Sequence, residues 1–94
     1  MTHRIARLKT KHANRYLQQL CTHFGHKVPV RFNGAHGRID LPFGTCLLDA
    51  EGDALTMRLE SAEAEIGRLE RVIGDHIARF AFRENPVIAW RPAA

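Results

Sequence analysis

Within "RYLQQLCTHFGHK", Arg15 to Lys27, one cysteine and two histidines fall inside six positions: Cys21, His23 and His26. Thiolate and imidazole are ligands for borderline metals, and a cysteine beside a base can act as a nucleophile. Spacing decides how much of that chemistry is within reach. On a helix Cys21 and His23 point about 200° apart, so they cannot grip one ion while the helix is intact. His12, Tyr16, Gln19, His23 and His26 share a flank instead. A metal or haem held by His23 and His26 needs further ligands, and His36, Asp40 or Cys46 would have to supply them from another element. Cysteine catalysis needs an exposed thiolate. Both cysteines fall at apolar-phased positions, where the residue acts as a small hydrophobe. Cys21, Phe24, Gly25 and Cys46 are therefore read as structural, no residue is assigned as catalytic, and no resident cofactor is expected.

Two polar constellations remain. Arg15 and Lys27 add positive charge around Tyr16, His23 and His26, which makes this flank a candidate site for an anion. In "GRIDLPFGTC", Arg38 and Asp40 alternate with Ile39 and Leu41 and so share one face of a strand. Thr45, Thr56, Arg58, Glu60 and Trp90 are expected on that face as well. It suits either cross-strand ion pairs or a surface for a partner chain or flat anionic ligand.

The elements that position these residues follow from apolar periodicity. His3–Lys9 alternates and reads as an edge strand. Thr10 caps a helix whose buried stripe is Ala13, Leu17, Leu20, Cys21 and Phe24, and Gly25 ends it as a left-handed C-cap. Strands follow around Val28–Phe32, Arg38–Leu41, Thr45–Asp49 and Leu55–Glu60. They are separated by turns at Asn33-Gly34, Pro42-Phe43-Gly44 and Glu51-Gly52-Asp53. Ser61 caps a second helix with Glu63 and Glu65 in its first turn and a stripe of Ile66, Leu69, Ile73, Ile77 and Phe80. Val87–Trp90 reads as a terminal strand. The order β-α-β-β-β-β-α-β predicts a single α+β domain over residues 1–94: a two-layer sandwich in which two helices cover one face of a mostly antiparallel sheet of about six strands.

The net charge of +4 conceals a division of sign. Eight basic residues precede Asp40 without a single acid; from Asp40 onward ten acids face six arginines. Either the halves neutralise each other on folding, two chains pair through complementary patches, or the basic part attracts an anionic small molecule. Nucleic acid is not expected, because a single-strand platform interleaves aromatics with cations and only Tyr16 and Trp90 are candidates. No apolar run approaches the roughly 18–20 residues that span a bilayer, and the basic N-terminus lacks the apolar core of a secretory signal. A cytoplasmic protein with reduced thiols is expected. An open sheet face also predicts a homodimer through that face.

Three blocks, "RYLQQLCTHFGHKVPV", "GRIDLPFGTC" and "RFAFRENPVIAW", together spanning Arg15 to Trp90, resemble a bacterial family known as domain of unknown function 2218. The resemblance implies a small two-layer α+β domain, similar in topology to TATA-binding-protein-like or phosphomannomutase C-terminal folds. It carries two functional associations. One is a dihydroxyheptenedioate aldolase label, whose chemistry belongs to a (β/α)8 barrel of about 200 residues or more; 94 residues without alternating βα units do not make one. The other is proximity to siderophore-interacting reductases, which implies iron or siderophore handling. The expectation is thus a binding or accessory domain in that setting. The alternatives are a small enzyme or metal/haem protein using His23, His26 and Cys46, and a binder of anionic ligands or nucleic acid through the basic N-terminal part.

Overall fold

Apolar and polar residues alternate from Leu55 to Glu60, and this strand organises the sheet: Leu55, Met57 and Leu59 are fully buried on one side, while Thr56, Arg58 and Glu60 turn to the other. The computed structural model describes residues 1–93. Its elements are β1 (Thr2–Lys9), α1 (Ala13–Gly25), β2 (Val30–Phe32), β3 (His36–Leu41), β4 (Gly44–Glu51), β5 (Ala54–Ser61), α2 (Glu63–Phe80), a 3-10 turn (Phe82–Glu84) and β6 (Arg91–Pro92). All strand pairings are antiparallel, and the sheet order is β2-β3-β4-β5-β1-β6. This is the α+β sandwich and element order that the periodicity predicts.

Register follows from the turns. Leu41 pairs with Gly44, leaving Pro42-Phe43 as a two-residue connection, and Glu51 pairs with Ala54 across Gly52-Asp53. Gly52 takes a φ of +56°, a left-handed conformation that glycine adopts without a Cβ penalty. Each two-residue loop sets an in-register hairpin, so the inward positions coincide: Ile39 opposite Cys46, Cys46 opposite Leu59, Leu48 opposite Met57, Met57 opposite Ala6. Against that face α1 packs Leu17, Leu20 and Cys21, and α2 packs Leu69, Ile73 and Ile77, all fully buried. Each large aliphatic side chain so buried contributes roughly 1.5–3 kcal/mol.

Several local expectations are corrected. β1 is not an edge strand: it pairs along its whole length with β5, and β6 covers Arg4 and Ile5 on its other side. Alternation reports a face, not a neighbour, and the extended β5 offers an eight-residue partner. Val87–Trp90 makes no strand. Trp90 and Ile88 lie against α2 where Gly74 has no side chain, with the Trp90 Nε1 3.5 Å from the point a Cβ would occupy, and pairing begins only at Arg91. Trp90 is therefore on the helix side, not on the open face. Ser61 ends β5 instead of capping α2; its hydroxyl donates to the Phe43 carbonyl at 2.5 Å, and Ala62 takes the cap position. Thr10 precedes the cap of α1, which is His12, and accepts the His12 N–H at 3.0 Å. Gly25 is the last residue of α1 and is not left-handed, because the chain leaves through a right-handed His26 with Lys27 and Val28 N–H groups both returning to the Phe24 carbonyl.

Candidate functional site

The opening stretch separates into three environments. Cys21 and Cys46 are both fully buried, on α1 and β4. Burial pushes the Cys21 thiol up to about 11 and the Cys46 thiol higher still. At both positions burial disfavours the thiolate that a nucleophile requires. Both are free thiols in the core, on the inward side that the phase of their positions predicts.

Tyr16 leaves the predicted flank. Its ring is buried, and its hydroxyl donates to Glu84 Oε2, which also accepts from Thr10 Oγ1 at 2.9 Å. The Tyr16 hydrogen bond is the largest cause of a lowered Glu84 pKa, and burial is the largest cause of a raised Tyr16 pKa. The cluster satisfies itself and clamps the 3-10 turn onto the start of α1. It is a staple.

His23 stays on the exposed side of α1, His26 follows its last residue, and with Arg15, Gln18, Thr22 and the α2 residue Phe80 they line an open groove of about 670 Å³. Lys27 follows in the turn after α1. The ring nearest His23 across the helices is His76, unmarked by the sequence, with centroids 4.8 Å apart. His76 donates from Nδ1 to the Val72 carbonyl at 2.6 Å, which fixes its ring. Phe24 and Phe80 complete a four-ring cluster. Desolvation is the largest cause of a lowered His23 pKa, followed by the charge interactions of His76, Lys27, His26 and Arg79. His36, Asp40 and Cys46 are elsewhere on the sheet, and among the described residues no three His, Cys, Asp or Glu side chains are grouped to hold a metal ion.

Arg38 and Asp40 do share the open sheet face, as their alternation predicts. Arg38 Nε donates to Asp40 Oδ1 at 3.1 Å, and Thr45 Oγ1 donates to the same oxygen at 3.2 Å. Around them the register builds something the alternation alone does not reveal. Arg31 opposes Arg38, Arg38 opposes Leu47, Leu47 opposes Arg58, Arg58 opposes Ile5, and Ile5 opposes Arg91. One row across all six strands thus carries four arginines with two half-buried aliphatic side chains between them. Among the described residues only Arg38 of the four is in an ion pair. Shallow hollows of about 490 Å³ and 500 Å³ lie on this face, the first holding Arg31, Arg38 and Leu47 together with Asp49, whose carboxylate is paired with His36, the second Ile5, Arg58 and Arg91. The two-residue loops could have revealed the middle of this row; the β1 and β6 contributions required the tertiary pairing.

The charge division is also resolved in part. Arg4–Glu70, at 3.3 Å, is the one lysine or arginine pair among the described residues that joins the acid-free segment to an acid beyond Asp40 itself. Contact pairing does not neutralise the basic half.

Among solved structures, the chain is similar to the NMR structure of PA4090 from Pseudomonas aeruginosa, with a TM-score of 0.82 and 36% identity over 99% of this chain and 98% of that one. No curated protein matches it. No helix is long and apolar enough to cross a membrane, among the described residues. The whole two-layer unit, from β1 to β6, is what the family profile recognises, with residues 5–91 matched: the chain belongs to DUF2218, the uncharacterised proteins conserved in bacteria.

Proposed function

We propose that this chain is a non-catalytic binding domain that takes an anionic partner across its open sheet face. The row Arg31, Arg38, Leu47, Arg58, Ile5, Arg91 carries this reading. Strands about 4.8 Å apart give the row a span of roughly 24 Å. Guanidinium forks match carboxylate and phosphate oxygens, and Leu47 and Ile5 lower the water content around Arg58, which strengthens its attraction for an anion. Repelled arginines also argue against a second copy on this face, since a two-fold axis through the row would stack it on itself. A ferric siderophore of the catecholate type, an anion built from aromatic rings, falls inside this ligand class, and the iron-handling association narrows the reading to it.

The test is a chemical-shift titration of isotope-labelled protein with the gallium tris-catecholate complex, a diamagnetic stand-in for the ferric one, and with citrate. Shifts should concentrate at Ile5, Leu47 and Arg58, and Arg58→Gln should weaken binding at least fivefold. If neither anion moves the sheet-face amides at millimolar concentration, the reading is wrong. Citrate bound as tightly as the catecholate complex would remove the siderophore refinement alone.

A further inference from the structure

The groove between the exposed side of α1 and the end of α2 lies on the helical layer, away from the arginine row. Three of its properties belong together. It has an aromatic wall, formed by the half-buried Phe80 and the exposed ring of His23, with Phe24 and His76 packed behind them. Its polar rim consists of uncharged or basic groups only: Arg15, Gln18, Gln19, Thr22 and His26. Its volume, about 670 Å³, lies within the usual range for small-molecule sites.

We infer that this groove is a site for a carboxylate carried on a flat apolar body, an aromatic acid, which it binds together with a proton. The wall provides ring surface for offset or edge-on contact, while the rim gives charge of one sign. No acid occurs anywhere in α1. The acid nearest along α2, Asp75, lines a different hollow with Arg71, Gly74 and Trp90. A bare phosphate would use the rim but leave the wall unoccupied. A metal cation would meet Lys27 and Arg79 as like charges.

Proton uptake follows from the neighbours of His23. Just past the end of its own helix are His26 and Lys27, and across the helix interface are His76 and Arg79, so desolvation, the two cations Lys27 and Arg79, and His26 and His76 whenever they carry a proton all oppose its charged form. A carboxylate against the ring supplies the missing opposite charge and reverses part of that opposition. Linkage then requires the complex to form more readily as pH falls through the range in which free His23 is neutral and bound His23 is protonated.

Benzoate and 2-naphthoate, both ionised at pH 6 and at pH 8, are the probes, followed by amide and imidazole chemical shifts. Shifts at Thr22, His23, His26 and Phe80 are expected, with naphthoate tighter than benzoate and affinity for each at least fivefold higher at pH 6. His23→Gln, at an exposed position, should reduce the pH dependence at least twofold, and Phe80→Ala should weaken naphthoate at least fivefold. Arg58→Gln should change neither, which separates this site from the sheet face. Equal affinity at the two pH values, inorganic phosphate binding as well as naphthoate, or shifts confined to the arginine row would each overturn the inference.

Discussion

Replacing Gly37 by alanine places a Cβ 2.8 Å from Cys21 Sγ, 3.4 Å from Leu17 Cδ2 and 3.5 Å from Phe32 Cβ. Gly37 does not have a positive φ, so its backbone accepts alanine, and the unfolded-state effect alone would stabilise by about 0.4–1 kcal/mol. The clash opposes this: overpacking a filled core costs about 1–3 kcal/mol, leaving a net loss of about 1–2 kcal/mol. Cys21→Ala by itself removes one buried atom, worth about 0.8 kcal/mol in transfer, and leaves a void of about 25 Å³ that adds about 0.5 kcal/mol. In the double variant the new methyl enters the space vacated by sulfur. Its stability should then equal or exceed that of Cys21→Ala, giving a coupling of about 1–2 kcal/mol between the two sites. Urea unfolding of the four proteins with a common m-value measures it. Additivity within about 0.3 kcal/mol would refute the close approach of α1 to β3, and with it the structural role assigned to Cys21.

Gly44→Ala should be worse and beyond rescue, because its Cβ would meet the backbone oxygen of Glu60 at 2.9 Å as well as Leu69 Cδ2 at 2.7 Å; a loss near 3 kcal/mol, or a fall in Tm of more than about 12 °C, is expected by calorimetry, and trimming Leu69 should not restore it. Glu84 has a carboxyl pKa lowered chiefly by the Tyr16 hydrogen bond, so its contribution is present above the unfolded value of 4.5 and fades as pH falls through the lowered folded value. Melting curves from pH 6 down to pH 3 should therefore lose more stability in the parent than in Glu84→Gln; parallel curves would contradict the staple. Arg31 stands directly opposite Arg38, and like charges across a strand pair are unfavourable. Arg31→Gln should raise stability by a few tenths of a kcal/mol while weakening the anion at the sheet face, and a loss of stability would count against the row as a surface kept for binding.

The elements themselves were legible because burial of one face is a local, periodic demand. Leu55, Met57 and Leu59 declare a strand, and Ile66, Leu69, Ile73 and Ile77 declare a helix face, whatever else surrounds them. The inward phase of Cys21 and the shared face of Arg38 and Asp40 follow from the same periods. Helix ends were less legible. Thr10 and Ser61 have capping chemistry, yet each spends its hydroxyl elsewhere, on Glu84 and on the Phe43 carbonyl, because the neighbouring acceptors exist only in the folded chain.

Sequence by itself therefore determined most of each layer: the first five extended segments, two amphipathic helices, two cysteines bound for the core and a basic first half. Tertiary structure decided which residues meet. The row from Arg31 to Arg91 depends on five pairings, two of them involving the chain termini, and the meeting of His23 with His76 depends on how two helices separated by 37 residues cross the same sheet face. Periodicity fixes the direction of a side chain relative to its own element. Partnership is set by the packing of elements remote in the chain, and in this fold it is packing that assembles both candidate binding surfaces.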